Sequence, residues 1–520
     1  MTDETYDRRW WTLAVLCLSL VMVVVGNTVL NVALPTLVRD LAATSTQLQW
    51  MVDSYALVFA GLLLTAGALG DRYGRKGALV GGLMLFGTAS VVSAFATSAN
   101  QLIITRAVMG IAAAFVMPAT LSILTSVFPP QERGRAIGVW AGLAGAGAAI
   151  GPVAGGYLLE HFWWGSVFLL NVPIVVLALV AGKFLVPKSR DPHHVALDPV
   201  GAGLSIVGLS ALLYGIIEAP TYGWGDPLTL TAFALALVFL VAFAWWELRV
   251  EHPMLDLNYF RDPRFSAAGA AITLVFFAMF GTFFLLTQYL QIVLGYSALG
   301  AGVRTLPAAL TMGFAAPTGA RLVERFGARR VVSGGLATVA VGLTILSAMG
   351  TEANYPLLVV ALVVMALGMG FTMAPSTASI MSSIPMNKAG VGSAVNDTTR
   401  ELGGALGVAV LGSIVVSQYG SALASKLHDV RPALAAVASK SVGAAVQIGE
   451  RVGGPAGAAI ADGARSAFVD AMGVALIVAA GVALVASVLV GRYMPSKVAD
   501  EHPLRADADG LQPAASTSAP

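Results

Sequence analysis

A few ionisable side chains stand inside or beside apolar stretches of the sequence, where they could carry protons. Asp53 and Arg106 each lie just inside such a stretch in the first part of the chain. Asp397, Arg400 and Glu401 follow one another closely near the start of a later stretch. Burial makes a carboxyl group hold its proton to higher pH and a nearby cation opposes this, so such a cluster suits reversible proton binding near neutral pH. A static ion pair between Asp397 and Arg400 is the alternative that these residue types leave open.

The sequence contains no pattern typical of an enzyme or of a nucleotide-dependent protein. Its six histidines lie in loops or at the edges of apolar stretches, and the pair His193–His194 has no cysteine near it. No glycine-rich loop ends in Lys-Ser or Lys-Thr, which argues against ATP as the energy source. We therefore expect no cofactor, no metal and no nucleic-acid partner, and we expect the proton-motive force to supply the energy.

The surroundings of these groups are those of an integral membrane protein. Of the 520 residues, 57% are hydrophobic and 11% are charged, against about a quarter charged in soluble domains. The apolar blocks are long enough to cross ~30 Å of hydrocarbon as helices, which takes about 20 residues each. Backbone groups in lipid must be hydrogen-bonded internally, and no alternating polarity is present, so the blocks are helices rather than barrel strands. The single cysteine, Cys17, excludes an intrachain disulfide.

We count fourteen candidate spans and predict an all-α integral membrane protein with 14 transmembrane helices. The spans lie near residues 10–35, 48–70, 77–97, 101–127, 136–159, 163–186, 199–217, 227–246, 265–294, 300–320, 331–350, 355–384, 394–417 and 467–490. Basic loop residues face the cytoplasm, and the short loops on the other side contain Arg39 alone if the N-terminus is inside. An even count then places both termini in the cytoplasm. The composition, rich in Ala, Gly and Arg, suggests a bacterial inner membrane.

A short string repeats after about half the chain. Residues 67–76 read GALGDRYGRK and residues 319–330 read GARLVERFGARR, each after an apolar block on the predicted cytoplasmic side. The matched positions are Gly67, Asp71, Arg72, Tyr73 and Gly74 in the first string and Gly319, Glu324, Arg325, Phe326 and Gly327 in the second. Parallel halves related by an axis along the membrane normal are a transporter device, and the substrate then binds between the halves.

These strings and three others resemble the major facilitator superfamily. GALGDRYGRK is similar to the superfamily's signature between the second and third helices, and GAAIGPVAGG at 147–156 is similar to the fifth-helix signature of proton-driven exporters. With NVALP at 31–35 and AGVGSAVNDTTRELGGALGVAVLGS at 389–413, the chain resembles the fourteen-helix drug:proton antiporters over about residues 10–490. The resemblance implies two pseudo-symmetric six-helix bundles with two additional helices inserted between them.

The resemblance divides the chain into regions. We expect a first bundle in residues 1–190, two inserted helices in 191–250, a second bundle with a long outer loop at 418–466 in 251–494, and a disordered cytoplasmic tail in 495–520.

The charges of the repeated string are expected to act in gating. A carboxylate such as Asp71 can cap a neighbouring helix N-terminus and pair with a basic loop residue. The resemblance implies that this contact holds the cytoplasmic side shut, and Glu324 would be the weaker counterpart. The basic residues of the string could also serve only to keep the loop in the cytosol.

The glycines of the fifth-helix signature form a second gating candidate. Gly147, Gly151 and Gly155 share one helix face, which allows close helix approach, and Pro152 favours a bend. The face is read either as tight packing or as a bendable contact that closes a cavity between the halves. The expected gating residues are Gly67, Asp71, Arg72, Gly74, Arg75, Gly147, Gly151, Pro152, Gly155, Gly156, Glu324 and Arg325.

One position departs from the resemblance. The family usually has an aspartate in the first helix, at the position that Gly26 occupies here. We expect Asp53 to supply the missing proton-binding group, and a strictly cationic substrate is less expected. The resemblance links an arginine at the position of Arg106 to proton transfer. The candidate residues for an apolar, adaptable substrate cavity are Asn27, Asn31, Trp50, Tyr55, Phe280, Phe284 and Met373.

Together these features predict a proton-coupled exporter of small, largely hydrophobic drugs or toxic compounds that works as a monomer. Dedicated export of one natural product or lipid by the same mechanism is the alternative. A membrane-embedded enzyme or a channel is less favoured, because the ionisable groups are scattered and a pore has no need of a gate on each half.

Overall fold

The computed structural model describes residues 7–41, 45–189, 198–424, 438 and 442–495, and no strand occurs among them. The long helices of this part, numbered in chain order, are α1 (Arg9–Leu41), α2 (Ser45–Tyr73), α3 (Arg75–Ala94), α4 (Ala99–Val127), α5 (Pro130–His161), α6 (Asn171–Leu185), α7 (Pro199–Tyr222), α8 (Pro227–Glu247), α9 (Pro263–Gln288), α10 (Ala298–Phe326), α11 (Ala328–Leu346), α12 (Tyr355–Ser382), α13 (Ala389–Ala424) and α14 (Gly454–Tyr493). The predicted all-α membrane fold is confirmed.

The number of membrane spans is a separate matter from the fold class. Among the described residues, 13 helices are long and apolar enough to cross a membrane. The remaining long helix, α10, has 29 residues but two internal prolines and many small or polar side chains. It packs between α5 and α12. The count of fourteen therefore stays a prediction at α10.

Short polar signals start several of the helices. Asp198, Asp226 and Asp262 cap α7, α8 and α9, and each accepts a hydrogen bond from a backbone N–H of the first turn. A proline follows each of these aspartates, where its fixed φ suits the first helical position. The inserted hairpin and the start of the second bundle are thus set by local sequence.

The repeated string breaks the chain at a single glycine in both halves. Gly74 separates α2 from α3 with φ 123°, and Gly327 separates α10 from α11 with φ 80°. Glycine adopts such angles without the steric cost that other residues meet. The two matched glycines therefore allow the same break between consecutive helices in the two halves.

Helix contacts repeat between α1–α6 and α9–α14. In the first bundle α2 packs on α4, α1 on α5 and α3 on α4; in the second, α10 packs on α12, α9 on α13 and α11 on α12. Across the halves, α13 packs on α2 and α4, while α5 packs on α10 and α12. The two bundles therefore have equivalent internal contacts. At their interface, the equivalent helices α5 and α13 each pack on two helices of the other bundle.

The inserted helices α7 and α8 pack on each other, and α7 covers the seam between α2 and α13. The Trp224 indole N–H donates to Ser413 Oγ at 3.2 Å near one end of the seam. At the other end, Lys388 Nζ donates to the carbonyl of Pro253 at 3.2 Å. The turn between α7 and α8 therefore contacts the second half at one end of this seam, and the segment that follows α8 is bonded to Lys388 at the other end.

Two predicted boundaries are corrected by the structure. α13 begins at Ala389, so Asp397 lies about two turns inside the helix rather than near its start. Much of the predicted outer loop 418–466 is helical, because α13 continues to Ala424, a short helix spans Val442–Val452 and α14 begins at Gly454. The boundaries of the regions at 190 and 250 stay predictions, and 190–197 and almost all of the tail, from 496 on, lie outside the described residues.

Candidate proton-coupling and gating sites

Asp71 joins the two halves at the predicted cytoplasmic face. Its Oδ2 accepts hydrogen bonds from the backbone N–H groups of Gly390, at 2.7 Å, and Val391, at 3.3 Å. These groups belong to the first turn of α13, where a carboxylate also interacts favourably with the helix dipole. Oδ1 accepts a hydrogen bond from Arg75 Nε at 2.8 Å and a longer one, at 3.4 Å, from Ser122 Oγ.

Arg75 extends this contact to the turn before α13. Its Nη2 donates to the carbonyl oxygens of Met386, at 2.7 Å, and Asn387, at 3.3 Å. We call Asp71, Arg75, Met386, Asn387 and Gly390 the α2–α13 latch. All of its side-chain charge is buried, since Asp71 is 5% exposed and Arg75 3% exposed.

Two glycines let the helices come close enough for this latch. A Cβ on Gly67 would lie 2.6 Å from the carbonyl oxygen of Gly390, and a Cβ on Gly390 would lie 2.6 Å from that of Gly67. The loop's basic residues also make structural contacts: Lys76 Nζ donates to the carbonyls of Lys183 and Val186 at the end of α6. Arg72, half-buried, lies 5.5 Å from the centre of the Tyr73 ring.

The second string does not form an equivalent latch in the described part of the chain. Glu324 and Arg325 are exposed. No hydrogen bond or ion pair of Glu324 occurs among these residues, and Arg325 lies over the ring of its neighbour Phe326. Gly319 packs on Gly370 of α12, within its own half. The gating role of Glu324 and Arg325 stays a prediction that this arrangement does not support.

The predicted glycine face of α5 packs within the first half. Gly147, Gly151 and Gly155 face Val24, Thr28 and Val29 of α1 in that order. In this structure the face is a tight packing contact with α1. At this end of α5, the neighbouring Pro152 and Gly156 approach Gly302 and Leu299 of α10 in the second half.

Three other glycines of α5, which were not predicted from the sequence, pack on the opposite end of α10. A Cβ on Gly138 would lie 2.9 Å from Pro317 Cα, and one on Gly142 would lie 3.3 Å from the carbonyl oxygen of Gly313. Gly145 lies directly against the Met312 side chain. The spacing of small residues in this stretch was the available signal. Small residues thus bring α5 and α10 into close contact toward both ends of the seam between them.

Arg106 is fully buried and is bound by three groups from α1 and α2. Nε donates to the carbonyl of Met51 at 3.0 Å, Nη1 to the carbonyl of Gly26 at 3.2 Å, and Nη2 to Asn27 Oδ1 at 3.2 Å. Its Cζ lies 4.4 Å from the centre of the Tyr55 ring. This is a built site inside the first half and not a side chain that reaches the membrane surface.

The residue that replaces the family's acid lies in the same site. A Cβ on Gly26 would lie 2.9 Å from the Phe86 ring, so a larger side chain there would require the ring to shift. Asp53 is half-buried on α2, within a turn of Tyr55. Tyr55 itself lies in electrostatic range of both Arg106 and Glu401. It therefore stands between the two groups of predicted proton-coupling residues.

The structure brings Asp397, Arg400 and Glu401 together inside the protein. Arg400 Nη1 lies 3.6 Å from Asp397 Oδ1, with Asp397 2% exposed and Arg400 5% exposed. Glu401 is half-buried and interacts electrostatically with both. Asp397 Oδ1 accepts from Asn396 Nδ2 at 3.2 Å, and Arg400 Nη2 donates to Thr377 Oγ1 at 3.3 Å.

Two aromatic rings complete this cluster. Arg400 Cζ lies 4.8 Å from the centre of the Trp140 ring and 5.4 Å from that of Phe276. Trp140 belongs to the first half and Phe276 to the second. Neither residue could be assigned this role from the sequence, because a lone aromatic residue in an apolar helix gives no signal of what it faces.

The predicted cavity residues are scattered. Tyr55 and Met373 are buried, Trp50 lies 6.1 Å from the Tyr214 ring of α7, and Phe280 and Phe284 are exposed along α9. The side chain of Asn31 lies outside the described residues. The two pockets described, on α8 and between α11 and α14, both lie away from the interface of the halves. A substrate chamber between the halves stays a prediction.

Several known proteins are similar to this chain in sequence. The profile of the Major Facilitator Superfamily matches residues 16–408. The multidrug efflux pump LfrA of Mycolicibacterium smegmatis is 36% identical over 89% of this chain and 92% of the relative. The methyl viologen resistance protein SmvA of Salmonella typhimurium is 36% identical over 88% and 92%. The puromycin resistance protein pur8 of Streptomyces alboniger is 35% identical over 82% and 85%.

Solved structures share the fold. The human organic anion transporter MFSD10 has a TM-score of 0.61 at 15% identity, over 93% of this chain and 99% of that one. A bacterial homologue of the human lysosomal transporter Spinster, inward-facing and unoccupied, has a TM-score of 0.58 at 18% identity, over 96% and 100%. At these identities the likeness concerns the fold alone.

Proposed function

Because the chain belongs to the major facilitator superfamily, we propose that it exports small, largely apolar toxic compounds in exchange for protons. It is a multi-pass transporter of the inner membrane, with a small molecule as substrate. Relatives named as a multidrug efflux pump and as resistance proteins support export as the direction. In the proposal the protein works as a monomer with both termini in the cytoplasm, without a cofactor or an enzymatic activity.

The observation that carries the proposal is the cluster of the buried Asp397 and Arg400 with the half-buried Glu401. Ionisable side chains inside a membrane are costly and mark ion or proton pathways. This cluster lies on α13, which packs on α2 and α4 of the other half, so its surroundings change when the halves move. Proton binding at Asp397 or Glu401 would thereby be coupled to the exchange between outward and inward access.

Dedicated export of a single natural product is the second candidate. The relative from Streptomyces alboniger, which is similar over most of its length, is named for resistance to one compound, puromycin. Both candidates use the same mechanism and differ in the breadth of the substrate range.

A resistance panel tests the proposal. Cells with and without the protein are exposed to toxic compounds, and efflux of the protected compounds is followed before and after the proton gradient is collapsed. We expect efflux to stop on collapse, and to fall strongly in Asp397→Asn and Asp53→Asn. Asp462→Asn, which changes an exposed carboxylate, is the control. Efflux that continues unchanged after collapse would show that the transporter is not driven by protons.

A further inference from the structure

Trp140 and Arg400 meet across the two halves. Trp140 on α5 is fully buried, and its indole N–H donates to Thr120 Oγ1 of α4 at 3.3 Å. The ring is therefore fixed to the first half and moves with it. Arg400 belongs to α13 of the second half, and its guanidinium lies over the Trp140 ring and near the Phe276 ring.

The same guanidinium is only loosely paired with Asp397. Their closest N–O distance is 3.6 Å, whereas a charge-assisted hydrogen bond between such groups measures about 2.7–2.9 Å. Arg400 Nε and Asp397 Oδ2 are buried and make no hydrogen bond in the described part of the protein. Both groups therefore have unused capacity for a closer pair. The aromatic rings and Thr377 engage the cation instead.

We propose that Trp140 is a positioning residue that competes with Asp397 for Arg400 and so links the movement of the halves to proton binding. While the ring lies against Arg400, the cation is shared and Asp397 can hold a proton. When α5 carries the ring away, Arg400 pairs closely with Asp397, and a carboxyl group next to a cation releases its proton. Only a proton moves in this step. The inference rests on the proposed proton-coupled export.

The other groups that face Asp397 leave Arg400 as its controlling partner. On α13, Glu401 adds a second carboxyl group, and Asn396 and Ser393 are uncharged hydrogen-bonding neighbours. Helix α12 contributes Thr377, and α5 and α9 contribute the two uncharged rings. From α2, Tyr55 lies in electrostatic range of Glu401. The cation that acts on both carboxyl groups is Arg400.

The test is an infrared titration of the purified protein in lipid, which needs no substrate. The protonated-carboxyl band of Asp397 is identified as the component that is absent in Asp397→Asn. In Trp140→Leu, Arg400 is free to pair with Asp397, so the pH at half-loss of this band should fall by about 0.5–1 unit. Trp140→Phe keeps a ring and should shift the band by less than half as much. Trp164→Leu removes another buried tryptophan, packed on Phe168, and should cause no shift.

The outcomes separate this inference from the proposed function. A Trp140→Leu titration at the wild-type pH, or at higher pH, would overturn the competition for Arg400 even if transport slows. If wild-type efflux is proton-driven and the band does not move, the inference alone fails. If wild-type efflux ignores the proton gradient, the proposed function fails and the inference fails with it.

Discussion

A single carboxylate, Asp71, holds together the predicted cytoplasmic ends of the halves. It accepts hydrogen bonds from two backbone N–H groups of α13 and from Arg75. Hydrogen bonds to a charged group contribute about 1.5–3 kcal/mol each, so the loss of this charge should disfavour the closed end about tenfold or more. We expect Asp71→Asn to lower the efflux rate about tenfold without loss of the protein from the membrane.

Glu324 is the matched control for Asp71, because it occupies the corresponding position of the repeated string. It is exposed and has no hydrogen bond or ion pair among the described residues. Glu324→Gln should therefore change the efflux rate by less than about twofold. Equal losses in the two variants would mean that gating does not depend on the α2–α13 latch. Efflux rates should be normalised to the amount of protein by quantitative blotting of membranes.

At Arg106, the shape of the cation should matter as well as its charge. Its guanidinium reaches three oxygen acceptors from two helices at once, which the single ammonium of lysine cannot do with the same geometry. Arg106→Lys should lower efflux more than about tenfold, since each lost hydrogen bond to a charged donor contributes about 1.5–3 kcal/mol. Full activity in this variant would show that positive charge alone is enough.

Arg304→Lys is the control for that substitution. Arg304 donates to Gly300 of its own helix, and its Cζ lies 3.6 Å from the centre of the Tyr296 ring. A lysine can keep both the local hydrogen bond and a cation–π contact. Efflux should stay within about twofold of the wild type.

At the scale of helices, the features that depend only on residues close together in the chain could be predicted from the sequence. Apolar length indicated the helices, and the matched glycines of the repeated strings were recognised in the sequence before the structure showed a break at Gly74 and Gly327. Asp71 at a helix end beside glycines indicated that a carboxylate would cap another helix. These features are local, so one sequence is enough to recognise them.

Contacts between distant helices could not be predicted in the same way. Nothing near Trp140 in the sequence indicates Arg400, because the two lie on helices that meet only in the folded protein. The face formed by Gly147, Gly151 and Gly155 had a recognisable spacing, but spacing does not tell which helix it will meet. The start of α13 at Ala389 was missed because the polar residues before Asp397 resemble a loop.

The glycine breaks carry a stability prediction. Gly74 has φ 123° and ψ 122°, a region that is almost closed to other residues. Gly74→Ala should therefore lower the free energy of unfolding by about 1–3 kcal/mol, and Gly327→Ala should act in the same direction. Thermal unfolding of the purified protein, followed by tryptophan fluorescence, measures the effect.

Gly77→Ala is the control for the glycine breaks. Gly77 lies inside α3, and a Cβ added there would have no neighbouring atom within 4 Å, so alanine fits without strain. Alanine favours a helix over glycine by about 1 kcal/mol, which predicts an unchanged or slightly higher melting temperature. If Gly74→Ala melted like Gly77→Ala, the backbone angle at the break would not be a structural requirement.

At the scale of the whole molecule, the two seams between the halves are unequal. The seam of α5 and α10 is closed by glycines at both ends. The seam of α2 and α13 is closed by the latch at the predicted cytoplasmic end, and α7 packs on both of its helices. The seam that contains the latch is therefore held by buried polar contacts and is also covered by the inserted helix pair, which has no counterpart at the other seam. Movement of the halves should require this end to separate.

A cleavable cross-link across the predicted cytoplasmic end tests that requirement directly. Arg133 of the first half lies beside Met386 of the second, with Nη2 and Sδ 3.6 Å apart. In a Cys17→Ala background, Arg133→Cys and Met386→Cys joined by a short disulfide-containing bismaleimide should stop efflux, and reduction should restore it.

The matched pair is Arg9→Cys with Glu132→Cys at the same face. These residues form an ion pair at 2.7 Å within the first half, so joining them does not tie the halves together. Efflux should continue in this cross-linked control. If the Arg133–Met386 cross-link also left efflux intact, the predicted cytoplasmic ends would not need to part. The latch would then serve stability rather than gating, because a contact that never opens cannot control access to a central site.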